Sequence, residues 1–133
     1  TTVVTWENGS DVYAQVLDIN GKPVDNSDLM VTNNYCVDGK NPVISPLGTG
    51  FIIVWQTSTY NIEAKTYDAS GHELSNFVVT NECERETQPA VTTLIDGTFV
   101  VTWEVNNGVV AHRYNADGSD YVQDNMDVVY FAD

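Results

Sequence analysis

Apolar and polar residues follow one another along this chain in short runs, not at helical spacing. In FIIVW, an extended backbone puts Phe51, Ile53 and Trp55 on one face and Ile52 and Val54 on the other. Both faces are apolar, so this strand is predicted to be covered on both sides. A second type of stretch places Val12, Ala14 and Val16 on one face, matched by Ile62, Ala64 and Thr66 further along. Its opposite face mixes Tyr13, Gln15 and Leu17. A small Ala at the centre of a face predicts close approach of a neighbouring sheet. No window carries convincing 3.6-residue periodicity, so the chain is predicted to be all-β.

The pattern recurs. Trp6, Trp55 and Trp103 sit in TTVVTWE, FIIVWQ and FVVTWE, each followed by a polar turn and a second apolar stretch, DVYAQVLD, NIEAKTYD or GVVAHRYN. Ala14, Ala64 and Ala111 then align, as do Asp18, Asp68 and Asn115, and Gly21, Gly71 and Gly118. A third stretch ends LMVTN, FVVTN and MDVVY, and the first two copies continue into NPVISPLGTG and QPAVTTLIDGT. The copies therefore run about 2–50, 51–98 and 99–133, one repeat domain spanning 1–133, with the last copy short of its fourth element.

Turn chemistry separates the strands. Asp-x-x-Gly fits a hairpin, because Asp bonds nearby backbone and Gly accepts a positive φ. Asp96-Gly97, between VTTLI and FVVTW, is the strongest hairpin signal. Pro42 and Pro89 are predicted to open their strands, and Pro46 to mark an edge or a bulge. Four strands in each unit of roughly 48 residues suit a propeller blade. Three such units also suit a pseudo-threefold β-trefoil or β-prism, and an open sandwich or filament subunit is a further arrangement.

Composition narrows the function classes. The 133 residues are 42% hydrophobic, enough for a core, and carry 19 acids against 5 bases, a formal charge of −14. That field repels nucleic acid and anionic membrane surfaces. It suits calcium, a basic partner or simple solubility. No apolar run approaches the ~20 residues of a membrane helix, so membrane insertion is not expected. The chain opens Thr-Thr-Val-Val without a Met, as a processed or excised segment does.

The Trp strand Phe99 to Trp103, the strand Val12 to Gln15, and Asp18, Gly21, Pro89, Asp96 and Gly97 together carry a resemblance over nearly the whole chain. The pattern resembles a repeat of about 50 residues found in very large secreted and cell-surface proteins of bacteria and protists. The resemblance implies an extracellular module of the kind found in adhesins and calcium-associated surface proteins. It supplies no catalytic residues. The chain departs from it by adding Cys36 and Cys83, and it lacks the glycine-rich nonapeptide that binds calcium in neighbours of such repeats.

Candidate chemistry is sparse. No nucleophile elbow, HExxH zinc motif or phosphate-cradling loop is present, so no catalytic residue is named and no enzymatic activity is expected. Cys36 and Cys83 hold equivalent places, and a secreted setting favours a disulfide. A bridge between them would close a loop of roughly 47 residues, worth about 4 kcal/mol. Intermolecular bonds and free thiols are the alternatives. No zinc spacing accompanies them, and no metal site is assigned. No cofactor is assigned: Asp18, Asn20, Asp25 and Asp28 form the nearest oxygen set for calcium, but a turn explains Asp-x-x-Gly more simply. Trp6, Trp55 and Trp103 read as core packing ahead of the alternative, sugar-stacking platforms. Tyr13, Tyr60, Tyr67 and Tyr114, with Tyr121, read as surface aromatics for ligand contact. Asn8-Gly9-Ser10 is a glycosylation sequon in a polar turn. Two functions follow as expectations: a structural or adhesive module that forms a homo-oligomer or filament, or a multivalent lectin with one weak carbohydrate site per repeat.

Overall fold

The computed structural model describes residues 1–32, 38–80, 85–106, 108–122 and 131–132. The described residues are all-β with no helix, arranged as three antiparallel sheets, none closed on itself. The first sheet contains β1 (Thr2–Asn8), β2 (Asp11–Leu17) and the short β3 (Leu29–Met30), in that order. The second is a meander of β4 (Gly39–Leu47), β5 (Gly50–Thr57), β6 (Ile62–Tyr67) and β7 (Glu73–Thr80). The third repeats it with β8 (Glu86–Thr93), β9 (Phe99–Val105), β10 (Gly108–Tyr114) and β11 (Phe131–Ala132).

The second sheet lies between the other two, which explains the two-sided apolar pattern of β5. Phe51, Ile53 and Trp55 pack with Val12, Ala14 and Val16 of the first sheet, and Tyr67 joins them. Ile52 and Val54, with Ile62 and Ala64, pack against Phe99, Val101, Trp103 and Val105 of the third sheet. Each buried Ile or Phe contributes about 1.5–3 kcal/mol relative to exposure, so these two layers dominate the stability. Ala14 and Ala64 are fully buried, as the close sheet approach requires.

The first strands of the full sheets meet. β4 packs on β8, and Ser45 Oγ lies 3.0 Å from Thr93 Oγ1. Each sheet is also tied to the hairpin of the one before it. The Gly39 N–H donates to the Ser10 carbonyl at 2.7 Å, and the Glu86 N–H donates to the Tyr60 carbonyl at 3.1 Å.

The Asp-x-x-Gly segments are hairpin turns. Asp18 Oδ1 accepts from the Asn20 and Lys22 N–H groups at 2.8 and 2.9 Å. Asp68 Oδ1 accepts from Ser70 and His72 at 2.8 and 3.0 Å. Gly21, Gly71 and Gly118 hold the positive φ these turns need.

Two sequence expectations are corrected. NPVISPL and QPAVTTL do not close the units that precede them; as β4 and β8 they open the next sheets, pairing with β5 and β9. The sheet with three strands is therefore the first, and the third is four-stranded. The reason is the tight connections Gly48-Thr49 and Asp96-Gly97, which make each of these strands a hairpin partner of the Trp strand after it. Pro42 and Pro89 also lie inside their strands, at register shifts between Lys40 and Val43 and between Thr87 and Ala90. A bulge tolerates the missing N–H. Pro46 lies on β4, an edge strand, as expected. The segment MDVVY lies outside the described residues.

Candidate functional site

The same two bulges and the two following hairpins build a polar cavity of about 440 Å³ between the second and third sheets. Asn41 and Gln88 are the bulge residues, in the equivalent pairs Asn41-Pro42 and Gln88-Pro89. Tyr60 lies in the turn after β5, and Asn106 in the turn after β9. These four line the cavity, and they are the described non-glycine residues with positive φ, at 51°, 53°, 63° and 51° for Asn41, Gln88, Tyr60 and Asn106. Backbone held in this region costs on the order of 1–3 kcal/mol per residue, and such residues gather at functional sites.

Charged and amide side chains complete the lining. Lys40, Arg85 and Glu104 reach it from exposed positions, and Gln56 forms a buried part of the wall. Asn41 is fixed from two sides: its N–H donates to Glu7 Oε2 at 3.0 Å, and its Nδ2 donates to Gln56 Oε1 at 3.2 Å. The Arg85 guanidinium lies over the Tyr60 ring, 4.4 Å from its centroid. Beneath them Glu86 is buried and its Oε1 accepts from the Thr80 hydroxyl.

A second cleft, of about 530 Å³, opens beside β1. Thr1 to Val3 line one wall, and Ile44, Pro46 and Phe51 of the second sheet line the other. Across the rest of β1 the Trp face is open. Val4 is 42% exposed and Trp6 is half-buried, whereas the equivalent Ile53, Trp55, Val101 and Trp103 are buried.

The predicted aromatic set divides. Tyr60 lines the polar cavity. Tyr13 is half-buried and stacks on Trp6 across the β1–β2 pair, with ring centroids 6.0 Å apart. Tyr67 and Tyr114 are core residues, 2% and 4% exposed, stacked on Phe51 and Phe99 at 5.0 and 5.2 Å. Burial pushes both phenols above their ordinary pKa, and Glu73 and Asp120 add to the effect. Tyr121 lies under the Arg113 guanidinium at 4.0 Å. These residues do not form one equivalent site per repeat. Asn8 is exposed at the end of β1. Cys36 and Cys83, and with them the predicted disulfide, lie outside the described residues. Asp18, the leading calcium candidate, spends Oδ1 on backbone N–H groups, whose hydrogen bonds, led by that from Lys22, hold its pKa below the usual carboxylate range. No group of three or more metal-binding side chains gathers among the described residues.

The cavity has no sequence signature of its own, because Lys40, Gln56 and Arg85 belong to no motif. The available signal was the paired Asn-Pro and Gln-Pro steps at equivalent repeat positions.

Comparison with known proteins shows fold similarity alone. No protein family matches the chain, and no curated protein matches it. Among solved structures the chain is similar to a protein of unknown function from Bacteroides caccae, with a TM-score of 0.52 and 17% identity. The match covers 90% of this chain and 38% of that one, so the chain spans well under half the length of its structural neighbour. No helix among the described residues is long and apolar enough to cross a membrane.

Proposed function

We propose that this chain is a structural, adhesive repeat module of an extracellular or cell-surface protein, whose sheets continue by self-association in a propeller-like succession. The observation that carries the reading is the uncovered Trp face of the first sheet. Within the chain, the face holding Trp55 is buried by the first sheet, and the face holding Trp103 is buried by the second. Trp6 and Val4 repeat that face with no sheet over it among the described residues. At the other end, Val100, Thr102, Val109 and Ala111 repeat the positions of Ile52, Val54, Ile62 and Ala64, and Val109 is 39% exposed.

The occupant these two faces fit is a second copy of the chain, its third sheet set against the first sheet of its neighbour. Such a contact is head-to-tail and produces a ring or a filament according to the rotation between copies. The meander order, with first strands adjacent and last strands outward, supports a blade-like reading over a barrel. The resemblance to repeats of secreted surface proteins supports the extracellular setting. A variant retaining Trp6 alone, through Trp55→Phe and Trp103→Phe, tests the reading. Its fluorescence is expected to shift to shorter wavelength with rising protein concentration. Emission independent of concentration counts against it.

A further inference from the structure

We infer that the cavity between the second and third sheets binds a carboxylated carbohydrate, a uronic-acid type of sugar, independently of self-association. The argument begins with the distribution of positive charge. The chain has only 5 bases in a net charge of −14. Lys65 is ion-paired with Glu73 at 3.0 Å, and Arg113 is ion-paired with Asp96. Lys22, Lys40 and Arg85 enter no ion pair among the described residues, and two of these three, Lys40 and Arg85, reach the same cavity. A strongly acidic protein thus sets two of its cations against the single lining carboxylate of Glu104 at one polar pocket, where a ligand carboxylate supplies a second counter-charge.

Arg85 is prepared for this role. The Tyr60 ring beneath its guanidinium, 4.4 Å away, restrains the side chain, and a guanidinium presents paired N–H groups that suit a bidentate carboxylate. The remaining lining suits hydroxyl groups. Asn41, Gln88 and Asn106 bring amides, and Glu104 brings an acceptor, all at one mouth. Four residues held at positive φ fix that arrangement in the backbone before a ligand arrives, which lowers the ordering cost of binding. The Glu86 N–H to Tyr60 carbonyl bond joins the two walls, and the Asn41 to Gln56 bond stiffens the wall formed by the second sheet. A volume of about 440 Å³ accommodates one or two sugar rings.

Titration calorimetry of the full chain tests the inference, with trigalacturonic acid as the probe and maltotriose as its neutral counterpart. The acidic trisaccharide is expected to bind, and maltotriose to bind at least ~10-fold more weakly. Arg85→Gln and Lys40→Gln are each expected to weaken acidic binding by about tenfold. Both residues are exposed, so the circular dichroism spectrum should stay unchanged. Equal affinity for the two sugars, absence of binding to either, or acidic binding untouched by both substitutions would overturn the inference. Acetate competing as well as the trisaccharide at equal concentration would also overturn it, by reducing the site to a charge contact. The cavity lies within one chain, so a monomeric protein that binds the acidic sugar would refute self-association and leave this inference standing.

Discussion

Trp6 and Trp55 hold the same register position in consecutive sheets, yet Trp55 is 2% exposed and Trp6 is half-buried on an open face. The difference lies in what covers them. Trp55 is covered by the first sheet, and Trp6 by no other sheet among the described residues. Instead Trp6 stacks on Tyr13, its cross-strand partner. An aromatic pair at the end of an apolar strand is a costly surface to leave wet.

The layered core makes the cost of a mutation depend on the sheet rather than on the residue type. Ile53→Ala removes a side chain buried between the first two sheets and should cost about 2–5 kcal/mol. Val4→Ala, at the equivalent position of the first sheet, should cost under ~1 kcal/mol under conditions where the chain is monomeric. Urea denaturation of the two variants measures the contrast.

Gly50 is required for space. A Cβ there would lie 1.9 Å from the Tyr67 carbonyl oxygen, across the Phe51–Tyr67 pairing of β5 and β6. Gly97 is required for conformation: its φ is +85°, and a Cβ would meet nothing within 4 Å. Gly97→Ala should cost about 1 kcal/mol, whereas Gly50→Ala should force β5 away from β6 at the hairpin end of the second sheet and lower the yield of folded protein sharply. Thermal melts of the two variants distinguish these effects.

Acid should weaken the turns. The backbone N–H groups that hold the Asp18 and Asp68 carboxylates, foremost those of Lys22 and His72, lower both pKa values. A lowered folded pKa gives stability that is present above about pH 4 and lost as pH falls through the folded value. Glu63 acts in the opposite sense, since burial raises its pKa despite the attraction of Lys65, and acid relieves its charge. Asp68→Asn retains an acceptor and cannot titrate, so its stability should fall less steeply between pH 4 and pH 2. Equilibrium unfolding across that window provides the check.

Alkali should act through the core tyrosines. Raised folded pKa values for Tyr67 and Tyr114 mean stability that is full below about pH 10 and lost above it, as the unfolded chain releases phenol protons. The Tyr67 hydroxyl is buried with no hydrogen-bond partner among the described residues, whereas Tyr114 donates to the Val79 carbonyl at 3.4 Å. Tyr67→Phe should therefore be neutral or stabilising by up to about 1 kcal/mol, and should flatten the alkaline loss. Phenolate absorbance followed during base titration reports both.

Much of this architecture could be read from residue types. The apolar alternation of 51–55 required cover on both faces, and the structure supplies a sheet on each. Asp-x-x-Gly declared its turns because Asp side-chain acceptors and Gly conformational freedom act locally. The boundaries of the units were not legible from the period, since a repeat has no intrinsic starting point. Asp96-Gly97 did carry that information: a hairpin there makes β8 the partner of β9. Tyr67 was misread because its neighbours on the strand face, Glu63 and Lys65, are polar. That face is nonetheless buried, since the middle sheet has no solvent side, and Lys65 meets Glu73 there. The cavity was invisible because it depends on residues from four separated segments and on backbone geometry at two bulges.

Sedimentation velocity of the chain over a range of concentration and salt tests the central claim most directly. The account predicts mass above the 14.7 kDa of one chain, rising with concentration. Salt should strengthen it, because screening relieves repulsion between copies of net charge −14. Val4→Glu, which places a charge on the open Trp face, should return the protein to monomer with its fold intact. A well-folded 14.7 kDa monomer in every condition would contradict the account.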